Sequence, residues 1–226
     1  MADEPQSQTF LHIAENLEEI VVIGGGGHAK VVISVLRKLN RYRILGYTDR
    51  KDYGAVLGIS FLGSDRDLAP LAAGPKKLTA VIAVGQVGLG EARHKIWREV
   101  QYPSLSFPPI VSPDAVVNDG VEVGEAAVVM DGAVINTGAN IGRGVIVNTN
   151  STIEHDVHLA DWVHVAPGAT ISGGVMVGRF SMIGAGSTII EGIKITAGCV
   201  VGAGATVVRD LTEPGVYVGS PARRLE

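Results

Sequence analysis

The 226-residue chain, long enough for one or two domains, carries 19 Lys and Arg against 23 Asp and Glu, a formal charge of -4. No basic excess points to nucleic acid or to an anionic membrane surface. Hydrophobic residues make up 46%, aromatics only 5%, and there are 30 glycines. That balance excludes a collagen or a disordered chain and calls for a core of small and β-branched side chains.

The opening MADEPQSQTF is acidic and polar where a secretory leader would be basic and then apolar, and residues 1–18 read as an N-terminal extension. With one cysteine, Cys199, and no run of about 18 apolar residues, the expected setting is cytoplasmic, without a membrane partner. A strand over Glu19–Ile23 enters Gly24-Gly25-Gly26-Gly27-His28-Ala29-Lys30, and Val31, Val32, Val35, Leu36 and Leu39 follow at helical spacing. Next come a strand Tyr42–Tyr47 ending at Asp49 and Arg50, a helix after Ser64, a strand Thr79–Val84 and a helix near Leu89–Gln101. Pro103, Pro108, Pro109 and Pro113 then mark a boundary near 108.

Residues 19–108 therefore read as a Rossmann-like α/β domain. Gly24-x-Gly26-x-x-Ala29 fits the dinucleotide fingerprint, with Asp49 after the next strand. About 90 residues with three or four strands are too few for both halves of a dinucleotide fold. What survives is a turn whose backbone can approach a phosphate at a helix start; a tight turn without a ligand is the plain alternative.

From Val111 to Val207 every sixth residue, 17 in all, is Val, Ile or Leu. Gly often follows that aliphatic (Gly124, Gly142, Gly178, Gly184, Gly202), and a small residue or Val comes four after it. Short strands with tight corners at this period make a hexapeptide β-helix, three hexads to a coil and about 25 Å tall. This half, 109–210 with a C-terminal cap at 211–226, is similar to left-handed parallel β-helix acyltransferases. Cys199 falls on a small-residue site and reads as buried filler.

Half of the six histidines lie in Asn148–His164. The repeat frame puts His155 on the surface near a corner, flanked by Glu154 and Asp156, and His164 half a coil away. A His155–His164 dyad within one chain is therefore not expected. A neutral imidazole beside carboxylates suits general-base work near neutral pH, with Asp156 or Glu154 orienting the ring.

Together, GGGGHAKVV (24–32), the Asp49 turn, AVG (83–85), NTNSTIEHDVHL (148–159), HVAPGATISGGV (164–175) and GVYVGSPARR (215–224) resemble a family. These are bacterial sugar acetyltransferases with a nucleotide-binding N-terminal domain and a hexapeptide-repeat C-terminal domain. Among them are UDP-N-acetylbacillosamine and GDP-perosamine N-acetyltransferases and sialic acid O-acetyltransferases. The resemblance implies a homotrimer with sites in the clefts between subunits. It implies that Gly26, Gly27, His28, Asp49, Arg50 and Gly85 hold the nucleotide of the sugar substrate, with Asn148 near the sugar. His155 would be the base and Asp156 its basicity partner. His164, Ala185 and Ala203 would contact acetyl-CoA, Gly184, Gly202 and Gly204 keeping its channel narrow. Arg50 departs from the family, where many relatives have an acid.

The expected activity is acetyl transfer from acetyl-CoA to the amino group, at C4, of a nucleotide-linked amino sugar, by direct attack and without a resident metal. O-acetylation of the sialic acid type is the alternative. A γ-carbonic-anhydrase-like zinc enzyme using His155, His158 and His164 and a non-catalytic scaffold are two further classes.

Overall fold

A computed structural model describes residues 17–74 and 77–226; most of the expected N-terminal extension lies outside the described residues. Strands β1 (Glu18–Ile23), β2 (Tyr42–Thr48), β3 (Phe61–Gly63), β4 (Leu78–Ile82) and β5 (Leu105–Ser106) form one parallel sheet in the order β3-β2-β1-β4-β5. This corrects the expected three or four strands to five. β3 and β5 have three and two residues, too few for an alternating pattern to declare itself.

Helix α1 (Gly27–Leu39) buries Ala29, Val32, Ile33, Val35 and Leu36 on the sheet. The segment after Ser64 forms a 3-10 turn, Asp65–Asp67, and a short helix α2 (Leu68–Ala72). There the Asp67 carboxylate accepts from both the N–H and the hydroxyl of Ser64. Helix α3 (Glu91–Glu99) is shorter than the sequence suggests; its N-cap Gly90 donates its free N–H to Phe180 O. No described helix is long and apolar enough to cross a membrane.

From Ile110–Val111 to Thr206–Val207 the chain winds through 17 short strands on three faces, each strand pairing in parallel with those 18 residues away. Face A starts at Val116–Val117, face B at Glu122–Val123 and face C at Ile110–Val111. Gly215–Val218 extends face C beyond Cys199–Val201, and Arg223–Arg224 closes it antiparallel. The hexad aliphatics fill the interior. Val117 is the exception, 38% exposed, since the first coil has nothing stacked beneath it. Glycines after the aliphatics have a packing reason: a Cβ on Gly142, Gly178 or Gly184 would lie within 2.7 Å of the backbone of the next coil.

The corner residues with positive φ are mostly glycine, but Ala126, Asn150, Asp156, Trp162 and Phe180 also take φ of 55–64°. Such a backbone costs a non-glycine residue about 1 kcal/mol. Trp162 and Phe180, the two aromatics of the repeat, reach out to α3 and pack on His94, with ring centroids 5.4 Å apart in both cases. The α/β domain sits on the outside of face C. Ile110, Val128 and Met130 join its core, Lys38 bridges Asp114 and Asp131, and Gly88 N–H reaches Met182 Sδ at 3.2 Å.

Candidate active site

The glycine turn is built to leave space. Gly24 has φ +111° and Gly25 lies against the Tyr47 ring, where a Cβ would come within 2.4 Å. Gly26 and Gly27 have nothing within 4 Å of a Cβ position. Gly26 is the N-cap of α1 with no side-chain cap and no acid in the first turn, so the first N–H groups of the helix face open space, an arrangement that favours an anion. Asp49 closes the turn by accepting Gly25 N–H at 2.8 Å. Arg50 is exposed. Gly85 packs against His28, whose Cβ lies 3.3 Å from a Cβ built on the glycine.

Behind this turn, between the α/β domain and face C, is a cluster that sequence reasoning did not assemble. His164 Nδ1 lies 3.2 Å from Gln86 O and its Nε2 lies 3.2 Å from Asn148 Nδ2. A carbonyl can only accept, so Nδ1 carries the proton and Nε2 accepts from Asn148. Arg93, 3% exposed, donates to Gly144 O and lies 5.6 Å from the Trp162 ring. No carboxylate pairs with it among the described residues. Burial lowers its pKa to about 9, leaving it cationic at neutral pH. Burial, reinforced by the Arg93 charge, pushes His28 down to about 4 and His164 down to about 3. Both rings are neutral at pH 7. His28 Nε2, Gln86 Oε1 and Arg93 Nε are buried without a partner. Asn148 thus belongs with His164 and not, within one chain, with His155.

Above this cluster along the same edge of the prism, Ala185 and Ala203 are exposed and their N–H groups make no backbone hydrogen bond among the described residues. Gly186 and Gly204, with φ +63° and +67°, have open space around them. Gly184 and Gly202 are glycine because the next coil, or Val218, would meet a Cβ there. The result is a smooth ledge of small residues with unused donors.

His155 occupies the corner between faces A and B, away from the face that carries its own α/β domain. Its Nδ1 is 2.9 Å from Asp156 Oδ2, with side chains 55% and 72% exposed. The hydrogen bond to Asp156, then the charges of Asp156, Glu154 and Glu191, hold its pKa above the usual 6.5. Glu154 does not bond the ring; it accepts from Asn136 Nδ2 at 3.0 Å, and Asn136 accepts from Asn118 at 2.6 Å. These residues line a cleft of about 600 Å³ with His155 at its edge. His158 lies on face B and His164 on face C, and no three His, Cys, Asp or Glu gather as a metal-binding group among the described residues.

Comparison with known proteins matches the fold over most of the chain. Residues 19–100 match the PglD N-terminal domain. The acetyltransferase domain of PglB from Neisseria gonorrhoeae FA1090, also solved in complex with acetyl coenzyme A, is 33% identical over 92% of this chain and 100% of its own, with a TM-score of 0.85. PerB from Caulobacter crescentus, solved in complex with CoA and GDP-perosamine, is 36% identical over 92% and 97% of the two chains, again at 0.85. WeeI from Acinetobacter baumannii AYE, 23% identical with a TM-score of 0.80, shares the fold. No curated protein sequence matches. At these identities and coverages the chain is an acyltransferase and belongs to the nucleotide amino-sugar N-acetyltransferases of the hexapeptide-repeat family.

Proposed function

We propose that the chain transfers the acetyl group of acetyl-CoA to the C4 amino group of a nucleotide-linked amino sugar, with His155 as general base. The observation that carries this reading is the His155–Asp156 pair, 2.9 Å apart at an open corner. With Nδ1–H donated to the carboxylate, the Nε2 lone pair is left free to accept a proton. It takes a proton from the amine as the C–N bond forms at the thioester carbonyl, and the imidazolium returns that proton to the departing CoA sulfur as the C–S bond breaks. The one thiol, Cys199, is buried and burial raises its pKa, which argues for direct transfer without an acyl-enzyme.

Gly26, Gly27 and His28 would hold the nucleotide phosphates, with Asp49 fixing the turn and Gly85 admitting His28. Ala185 and Ala203 would offer N–H donors to the extended arm of acetyl-CoA, which fits the small-residue ledge, and His164 and Asn148 would wall its reactive end. Because the α/β domain covers face C while His155 lies at the opposite corner, the base and the turn of one chain do not face each other. The working unit in this reading is a homotrimer in which they come from neighbouring chains.

The test is thiol release from acetyl-CoA with GDP-perosamine and with UDP-, dTDP- and CMP-linked 4-amino sugars. His155→Ala should lower kcat about 10²–10⁴-fold with the acceptor used best; wild-type turnover in that variant overturns the assignment. Co-expressing His155→Ala with Gly26→Trp tests the assembly. If sites form between chains, about one quarter of them are intact in a random mixture. If each site lies within one chain, none is.

A further inference from the structure

The coils stack with an 18-residue repeat, so Thr137, His155, Gly173 and Glu191 form one column at the corner of faces A and B. The ladder bonds running through it are Asp156 N–H to Thr137 O (3.2 Å), Gly174 N–H to His155 O (2.9 Å) and Gly192 N–H to Gly173 O (2.9 Å). The next column is Gly138, Asp156, Gly174 and Gly192, all with positive φ. Asp156 is its one non-glycine, holding a strained backbone that brings its carboxylate to the His155 ring.

Two glycines shape the slot around this pair. A Cβ on Gly138, in the coil below, would lie 2.7 Å from Asp156 Oδ1, but its φ of +73° already calls for glycine. Gly173, in the coil above, is different. It is not among the residues with positive φ, and its neighbour Gly174 makes the turn. The three atoms nearest its Cβ position all belong to the His155 ring, at 2.6 Å for both Cε1 and Nε2 and 3.2 Å for Nδ1. The backbone there does not itself call for glycine; the imidazole does.

We propose that Gly173 is a positioning residue for the His155 base: it lets the Cε1–Nε2 edge of the ring lie across the coil above while Nδ1 stays on Asp156. This rests on the reading of His155 as the base. Alanine at 173 would have to push the ring by about 0.8 Å (3.4 less 2.6 Å) to reach ordinary contact. Displacement on the order of 1 Å costs a reaction about 10²-fold. The displaced ring also loses its aligned bond to Asp156, while the Glu154 and Glu191 charges remain.

The experiment is a double-mutant cycle of Gly173→Ala with His155→Ala, read by kcat, by thermal unfolding and by NMR titration of the His155 Cε1–H. Gly173→Ala alone should lower kcat about 10²-fold, leave the KM for acetyl-CoA near the wild-type value and move the His155 titration to lower pH. In the His155→Ala background the nearest obstacle to the new methyl is gone, so Gly173→Ala should lower neither kcat nor Tm further. If Gly173→Ala folds poorly, His155→Ala should restore its Tm. Wild-type kcat and titration in Gly173→Ala, or an equal loss with and without His155, would overturn the proposal. Wild-type turnover in His155→Ala would instead overturn the function on which it rests.

Discussion

His155 and His164 lie nine residues apart in one winding of the same prism, yet their rings experience opposite fields. His155 stands in solvent at the corner away from the α/β domain, and carboxylates raise its affinity for a proton. His164 is 6% exposed under that domain, beside the buried Arg93 cation, and its pKa falls to about 3. Near neutral pH only the first can exchange a proton. The second is a fixed hydrogen-bonding group with one defined tautomer. A repeat supplies equivalent positions; what covers each face decides what a histidine placed there can do.

The largest test of that contrast is kinetic. His155→Ala should lower kcat about 10²–10⁴-fold, whereas His164→Ala should weaken acetyl-CoA binding and folding stability with a smaller effect on kcat, as steady-state kinetics will show. The reverse pattern would exchange the two roles. Next is the clasp that buries His164. Trp162→Ala removes a ring packed on His94, Trp97 and Arg93 and should cost about 3 kcal/mol in denaturant unfolding, while leaving the His155 titration in place. A shift of His155 in that variant would mean that the two environments are coupled.

Smaller for each histidine and pH unit, and spread over pH, is the effect of the buried rings on stability. The unfolded chain protonates His28 and His164 near 6.5, and the folded chain only near 4 and 3. The stability that these neutral rings contribute is fully present above pH 6.5 and is lost as pH falls toward 4. The slope is about 1.4 kcal/mol per pH unit for each histidine. Urea melts between pH 7 and 4.5 should show this slope, and His164→Asn should roughly halve it.

The prism was legible because 17 aliphatics at a strict period leave no other packing, and His155 with Asp156 stood out as polar residues where the repeat is bland. The pairing of Asn148 with His164 was hidden, since neighbours in sequence fall on different corners. Arg93 was hidden for a related reason: on α3 it reads as an ordinary surface charge, and only the docked face C buries it. Gly173 passes for one more turn glycine in a Gly173-Gly174 doublet until the 18-residue stacking sets it over the imidazole. The strands Phe61–Gly63 and Leu105–Ser106 are held by the sheet beside them rather than by any pattern of their own.

The central claim, that Asp156 makes His155 the titrating base, is tested most directly by the pH dependence of kcat/KM in the wild type and in Asp156→Asn. The wild-type acid limb should lie above 6.5, because activity requires the neutral ring and Asp156 is the main cause of its raised pKa. In Asp156→Asn the limb should move down toward 6.5, with a lower plateau as the base weakens. An acid limb at the same pH in both enzymes would contradict the account.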